Sequence, residues 1–529
     1  MECAKFIDNP GSVLFCAFNN SISNEISRKF KNLGLNEITV KTLHSLGWHI
    51  LNANNSTGHP ITLEENKYRE LLKKPELQEK LAHHIEKILS INGFEKDSLD
   101  ENKKFAANNL VYKINNRLID INQKYRATLT KDTIEDFKQL VIHFGIFNNI
   151  EISKKNFDQE LKYYFESHKI ILEDGNLLSA KTMAIDYTDM LYLPVQWNQQ
   201  PPNKFDFVFI DECQDLSKSQ FAIATKYGKK DCRILAVGDP RQSIYGFTGA
   251  DIESFQRIKD WTKAKQLPLT ICFRCPKKVI EIAKTIRHDI IGNKEDEGIV
   301  TSILFDEVTK IAKPGDLIIS RLRAPIVLLV FNFIDNNIKV QIHEEEVREI
   351  INELKNIFKS NELNIIISTL PEGFDTLKKE ILNRWKWVIT KNAERIIDST
   401  ERKIYIESEQ SYLEKKLSFL QKKYYEWIET CPNLTAILKN VKDFISATDN
   451  SIKISTIHRA KGLENERVFI INYNDLPFNR LEQKDWEKTQ ELNLKYVAVT
   501  RALKELFLIE TKNLQAIKDE GSLFDTLPF

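Results

Sequence analysis

Apolar residues fall in two rhythms along this chain. Short unbroken runs, bounded by turn residues, occur at 13–18 (VLFCAF), 205–210 (FDFVFI) and 233–237 (RILAV). Runs of that length and setting predict strands of a parallel sheet, buried on both faces. Further strands are expected at 267–273, 316–320, 339–342, 453–457, 467–473 and 505–509, with helices at 19–30, 252–262 and 324–333. Residues 37–40 lead into Thr42-Leu43-His44-Ser45, and 185–193 return the chain to its sheet-bearing part. Between these blocks the rhythm changes to the three-and-four spacing of amphipathic helices. It runs over about 60–170, as in Tyr68, Leu71, Leu72 and Leu81, Ile85, Ile88, Leu89, and again over 347–445. Trp385, Trp387, Tyr424, Tyr425 and Trp427 in the second stretch are expected in helix packing. The pattern is sheet, helical insertion, sheet, repeated once, so two α/β domains are expected, each interrupted by a mainly helical domain. Cys3, Ala4 and Ile7 fall at helical spacing before Asn9-Pro10-Gly11 stops it, so the chain is expected to begin inside a helix.

Two of the expected strands end in chemistry. Asp211, Glu212 and Gln214 follow the run at 205–210; Gly238, Asp239, Arg241 and Gln242 follow the run at 233–237. Ligands of open α/β sheets sit past the carboxyl ends of the strands. Two adjacent carboxylates there suit a magnesium–nucleotide site, one holding the metal and one handling water.

Composition narrows the classes. With 42% hydrophobic and 29% charged residues over 529 positions, the chain has the make-up of a soluble globular protein of several domains. No run approaches the roughly 20 apolar residues of a membrane span, and MECAKFIDNPGS is no secretory signal, so a cytoplasmic location is expected. The net charge of +1, from 76 basic and 75 acidic residues, argues against broad electrostatic wrapping of nucleic acid. A local groove with stacking aromatics remains compatible with it. Seven cysteines, an odd number, speak against a disulfide framework. Cys272 and Cys275 have no second pair to complete a zinc site, and His83-His84 reads as a solvated helix face.

From residue 13 to about 509 the chain resembles UvrD/Rep-type superfamily 1 DNA helicases. The segments that carry the resemblance appear in family order: AFNNSISNEI (17–26), TLHSLG (42–47), DECQD (211–215), GDPRQSIYGFTGA (238–250), CFR (272–274), STIHRAKGLE (455–464) and QELNLKYVAVTRA (490–502). The family usually has Asn-Tyr-Arg where this chain has Cys272-Phe273-Arg274, and a tryptophan where it has Phe247. The resemblance implies two RecA-like parallel-sheet domains: 1–59 with 182–265, interrupted by 60–181, and 266–342 with 446–529, interrupted by 343–445. It also implies ATP and Mg²⁺ as cofactors, single-stranded or tailed DNA as partner, and 3′→5′ movement. Carried over position by position, Asp211 would hold Mg²⁺, Glu212 would activate water, and Gln242 would sense the γ-phosphate. Arg274 and Arg501 would be arginine fingers reaching across a cleft; Gly462 and Glu464 would meet phosphate and ribose. Phe18, Tyr245 and Phe247 would stack on or beside bases, while Thr42, His44 and His458 would contact phosphates.

One departure stands out. The family opens with a strand, a G-x-x-x-x-G-K-[ST] loop and a helix, and these 529 residues contain no such segment. Two expectations follow. Either the sequence is a fragment or late-started form of an active helicase, or it is a shortened, ATPase-deficient DNA-binding or regulatory subunit. Retention of Asp211, Glu212, Gln242, Arg274 and Arg501 favours the first. Omission of the opening strand is also expected to leave a gap or an edge in the first sheet.

Overall fold

A computed structural model describes residues 6–94, 101–147, 149–246, 249, 253–358, 372–393, 399–427, 429–431, 433–446, 451–479 and 483–510. The chain divides into two compact units, Met1–Leu267 and Pro268–Phe529.

The first unit contains strands β1 (Val13–Ala17), β2 (Thr39–Thr42), β3 (Thr62–Leu63), β4 (Ala184–Ile185), β5 (Phe205–Ile210) and β6 (Gly228–Ala236). Four of them form a parallel sheet in the order β2-β1-β5-β6. The register sets Ala17 beside Thr42, Cys16 beside Ile210, and Ile210 beside Ala236, so the strand ends form one line. Alternate residues face opposite sides. Leu14, Cys16, Val208 and Ile210 pack against Leu46, Ile50 and Phe221, while Val13 and Phe209 pack against Phe30 and Ile38. The helix Asn20–Asn32 starts where Asn19 Oδ1 accepts a bond from the Ile22 amide, at 2.9 Å.

The buried-strand expectation holds for β1 and β5 and needs correction for β6. Among the described residues β6 pairs only with β5, and Leu235 and Val237 are 41% and 48% exposed. It is an edge strand of the described sheet. Exposed Lys229, Lys230, Asp231 and Arg233 lie along it, charges of the kind that discourage pairing at a sheet edge. At the start of the chain, Pro10–Ser12 is a short 3₁₀ turn and Ile7 packs against the Phe30 side of the sheet. Cys3 and Ala4 lie outside the described residues.

Between β3 and β4 run the helices Lys67–Leu71, Pro75–Ile91, Glu101–Thr128, Ile134–His143, Asn149–Ile152 and Phe157–Thr182. They have a core of their own, in which Leu81, Ile85 and Ile88 meet Leu118, Phe137 and Leu161. Within this bundle His83 is exposed and His84 half-buried, its ring 6.0 Å from that of Tyr163. The bundle is tied to the chain that follows it by buried charges. The Arg126 guanidinium donates to both carboxylate oxygens of Asp186 at 2.7 and 2.8 Å and to Asp189 at 2.7 Å. Lys67 Nζ completes the cluster, 2.6 Å from both Asp189 Oδ2 and Ser179 Oγ.

The second unit contains β7 (Ile271–Cys272), β8 (Ile291–Gly292), β9 (Ile299–Leu304), β10 (Leu317–Ser320), β11 (Val340–Ile342), β12 (Ile452–Thr456), β13 (Asn465–Ile471) and β14 (Ala502–Glu510). Six form a parallel sheet in the order β11-β12-β10-β13-β14-β9. The strand expected at 267–273 shrinks to β7, with Leu267 and Leu269 71% and 85% exposed; β9 was not anticipated, because its mixed run of apolar residues and Thr301-Ser302 lies half-exposed at the sheet edge. The helices Glu344–Asn356, Glu372–Ala393, Ser399–Glu426 and Leu434–Ile445 follow β11. One continuous apolar core takes in sheet residues Ile318, Val340 and Phe469 together with Leu354, Leu417 and Ile437 of these helices. Phe331 and Phe419 stack across that junction at 3.9 Å. Tyr424 is buried in it and Trp385 and Trp427 pack on it, but Trp387 and Tyr425 are exposed rather than core. Among the described residues, no helix is long and apolar enough to cross a membrane.

Candidate nucleotide and nucleic-acid site

In the first unit the candidate residues follow from the register. At or just past the ends of β2, β1, β5 and β6 come, in order, Thr42 (the last residue of β2), Phe18, Asp211-Glu212 and Gly238-Asp239. Backbone bonds continue the pairing beyond the strands. The Asp211 amide donates to Cys16 O at 3.1 Å, Val237 to Ile210 O at 2.8 Å, and Cys213 to Val237 O at 3.0 Å. Glu212 sits at φ +49°, a left-handed conformation costly for a residue with a side chain and frequent at functional sites. The turn then enters the 3₁₀ segment Cys213–Asp215.

Gln214 links the two strand ends. Fully buried, it donates through Nε2 to Glu212 Oε2 and accepts from the Asp239 amide at 3.0 Å. The fit around it is tight: a Cβ on Gly238 would lie 2.3 Å from Gln214 Oε1 and 2.7 Å from Cys213 Sγ. Glycine is therefore required there by close approach. Asp239 caps the short turn Pro240–Gln242 through the Arg241 amide at 3.0 Å, and its carboxylate also accepts from Arg241 Nε at 2.8 Å and Gln242 Nε2 at 3.0 Å. Glu212, Gln214, Asp239 and Gln242 thus form one hydrogen-bonded chain. Burial, and next the Glu212 charge, push the Cys213 thiol up to about 12, so it stays protonated beside these carboxylates.

The same edge carries aromatic groups. The rings of Phe18 and Tyr245 lie 5.3 Å apart, tilted by 31°, and both residues are half-buried. Phe18 is therefore outside the sheet core. Phe247 lies outside the described residues. Thr42 Oγ1 accepts the Ser45 amide at 3.3 Å and caps the helix Leu43–Ala53, a structural task sufficient to explain a threonine there. Burial lowers the affinity of His44 for a proton, and its ring meets Tyr187 edge-on at 6.2 Å. Tyr187, 49% exposed, carries no motif that would have marked it.

The second unit holds its candidates differently. Arg274 Nε donates to Glu464 Oε2 at 2.6 Å in a half-exposed pair. Arg501 is 1% exposed; its guanidinium donates to Val497 O at 2.9 Å and Leu463 O at 3.0 Å. Gly462, at φ +85°, makes an open turn: among the described residues, no atom of a neighbour lies within 4 Å of where a Cβ would stand. Burial and the nearby Arg321 and Arg323 hold the His458 imidazole down at about 3, hence neutral. Those two arginines follow β10 at its carboxyl end, a position that sequence reading passed over.

The donor set suits magnesium. Adjacent carboxylates on a strand end supply hard oxygen ligands, and no group of three or more metal-binding side chains occurs among the described residues. Mg²⁺ is commonly held by one or two carboxylates together with substrate phosphates rather than by an all-protein cage.

Residues 6–263 match the family model of the UvrD/REP helicase N-terminal domain. The chain is 23% identical to the ATP-dependent DNA helicase PcrA of Staphylococcus epidermidis over 434 aligned positions, covering 62% of this chain and 59% of the relative. It is 24% identical to PcrA of Staphylococcus aureus over 436 positions, with the same coverage. The chain thus spans about 59% of the length of these relatives.

Proposed function

We propose that this chain, whose residues 6–263 match the UvrD/REP helicase N-terminal domain, belongs to an ATP-dependent DNA helicase or translocase moving 3′→5′ on single-stranded DNA. The observation that carries the reading is the hydrogen-bonded chain from Glu212 through Gln214 and Asp239 to Gln242, flanked on the same edge by the Phe18–Tyr245 ring pair. In this reading Asp211 holds Mg²⁺, which when bound neutralises phosphate charge. Glu212 orients a water molecule and takes its proton, a role worth about 10²–10⁴ in rate. Gln242, anchored on Asp239, couples the nucleotide side to Tyr245, three residues on. Phe18 and Tyr245 offer π-faces to bases; Thr42, His44 and the neutral His458 offer uncharged contacts to phosphates. In the second unit, Arg274, half-exposed beside Glu464, is the candidate cation for phosphate, and the buried Arg501 braces the Gly462 turn through Leu463 O.

A second reading makes the protein an ATPase-deficient DNA-binding or regulatory subunit. ATP hydrolysis with and without single-stranded DNA, on wild type and Glu212→Gln, separates the two. DNA-stimulated turnover that Glu212→Gln removes while DNA binding stays intact supports the motor. DNA binding without turnover in the wild type supports the second reading, and failure of the wild type to bind single-stranded DNA overturns both.

A further inference from the structure

The helical insertion of the first unit closes around one histidine. His168, on the helix Phe157–Thr182, is 0% exposed. Its ring lies 4.4 Å from that of Tyr125, on Glu101–Thr128, and 5.7 Å from that of Phe137, on Ile134–His143. Three helices of the bundle therefore meet at this imidazole, beside the apolar core to which Tyr125 and Phe137 belong. Among the described residues, neither Nδ1 nor Nε2 has a hydrogen-bond partner. Most buried polar groups find one, so the exception needs a reason.

The groups around the ring leave an added proton without an acceptor. On its own helix, Lys169 turns to Asp132 at 3.2 Å. On Glu101–Thr128, the Arg126 guanidinium is taken up by Asp186, Asp189 and Asn122 Oδ1, and burial, then Asp132, push the Tyr125 phenol up, so it stays protonated. On Ile134–His143 the ring meets the uncharged Phe137, while the Asp136 carboxylate accepts from Thr133 Oγ1. Burial, then the Arg126 and Lys169 charges, hold the His168 imidazole down at about 3.

We propose that His168 is a proton-driven release for the helical insertion: the closed bundle has no partner for an imidazolium, so acidification opens the meeting of these three helices. The closed bundle keeps His168 neutral, and the open bundle takes up one proton there. The stability that this histidine allows is complete above its ordinary value of 6.5 and is lost as pH falls from 6.5 towards about 3. Between pH 6.5 and 4.5 the ratio of open to closed bundle rises about 50-fold on this account. The buried charges that fasten the bundle respond later. Against the effect of burial, the Arg126 charge and its hydrogen bond hold Asp186 below the usual carboxylate range, so this fastening weakens only below about pH 4.

The test is hydrogen exchange of the full chain at pH 6.5, 5.5 and 4.5, read by mass spectrometry and corrected for the intrinsic pH dependence of exchange. In the wild type, opening measured by peptides from 101–128, 134–143 and 157–182 is expected to rise about 50-fold over this range. His168→Phe and His168→Gln have no imidazole to protonate and are expected to hold the rise to about 3-fold or less. If His168→Phe does not fold at pH 7, His168→Gln carries the comparison. His84, half-buried in the same bundle and with its proton affinity lowered by burial and by His83, is the control, and His84→Gln is expected to keep the wild-type rise. A wild-type rise that persists in the folded His168 variants, or that disappears in His84→Gln, overturns the proposal. So does an equal rise in peptides of β1 and β5, which would mean that the unit opens as a whole. The result stands apart from the helicase reading, because it requires neither nucleotide nor DNA.

Discussion

The two units solve the same architectural problem, a parallel sheet with a helical insertion, by different physics. In the first, the insertion has its own apolar core and is fastened by the buried cluster of Arg126, Lys67, Asp186 and Asp189. In the second, sheet and insertion share one apolar core. The candidate chemistry differs in parallel. The first unit fixes Glu212 and Gln242 through backbone turns and the buried Gln214; the second holds Arg274 and Arg501 through the ends of long side chains. A polar fastening is directional and fails when one partner goes, whereas an apolar core loses stability in proportion to the volume removed.

The comparison can be broken at both ends. Arg126→Met leaves two buried carboxylates with Lys67 alone and is expected to destabilise the first unit by about 3–5 kcal/mol. Denaturant unfolding measures the loss, and hydrogen exchange should localise it to helices 67–182; a change spread evenly over both units would break the contrast. Leu417→Ala, at a fully buried position, is expected to cost about 2–5 kcal/mol, with exchange rising in β10 and β12 as well as in its own helix. Loss of protection confined to that helix would mean that the second unit is not one core. Gly238→Ala forces Gln214 and Cys213 aside and should cost about 1–3 kcal/mol in unfolding experiments while leaving the helical insertion intact. Glu464→Gln breaks an ion pair that is 37% and 49% exposed, and a stability change below about 1 kcal/mol is expected. A larger loss would show that the Arg274 pair does more for the fold than its exposure allows.

Much of this was legible in the sequence where local pattern suffices. The run at 205–210 is a strand with those bounds, and the acidic residues after it lie at its carboxyl end. Turn chemistry marked Gly238 and Asp239, and helical spacing marked both insertions. Contacts between distant segments were not legible. Nothing local joins Phe18 to Tyr245, or Arg274 to Glu464, and nothing in RILAV distinguishes an edge strand from a buried one. The strand Ile299–Leu304 was missed because an edge position tolerates polar residues that weaken the apolar run. Thr42 shows the converse: a residue assigned to a phosphate contact by resemblance is also a helix cap, and the cap alone explains its type.

The central claim is that one edge of the first unit carries two separable functions, DNA contact through the Phe18–Tyr245 pair and water activation through Glu212. Fluorescence anisotropy of labelled single-stranded DNA, titrated with wild type, Phe18→Ala, Tyr245→Ala and Glu212→Gln, tests it most directly. Each aromatic truncation is predicted to weaken binding by about 5- to 150-fold, the equivalent of about 1–3 kcal/mol of lost stacking, with Glu212→Gln binding as the wild type does. Unchanged affinity in both aromatic variants, or an equal loss in Glu212→Gln, would contradict the account.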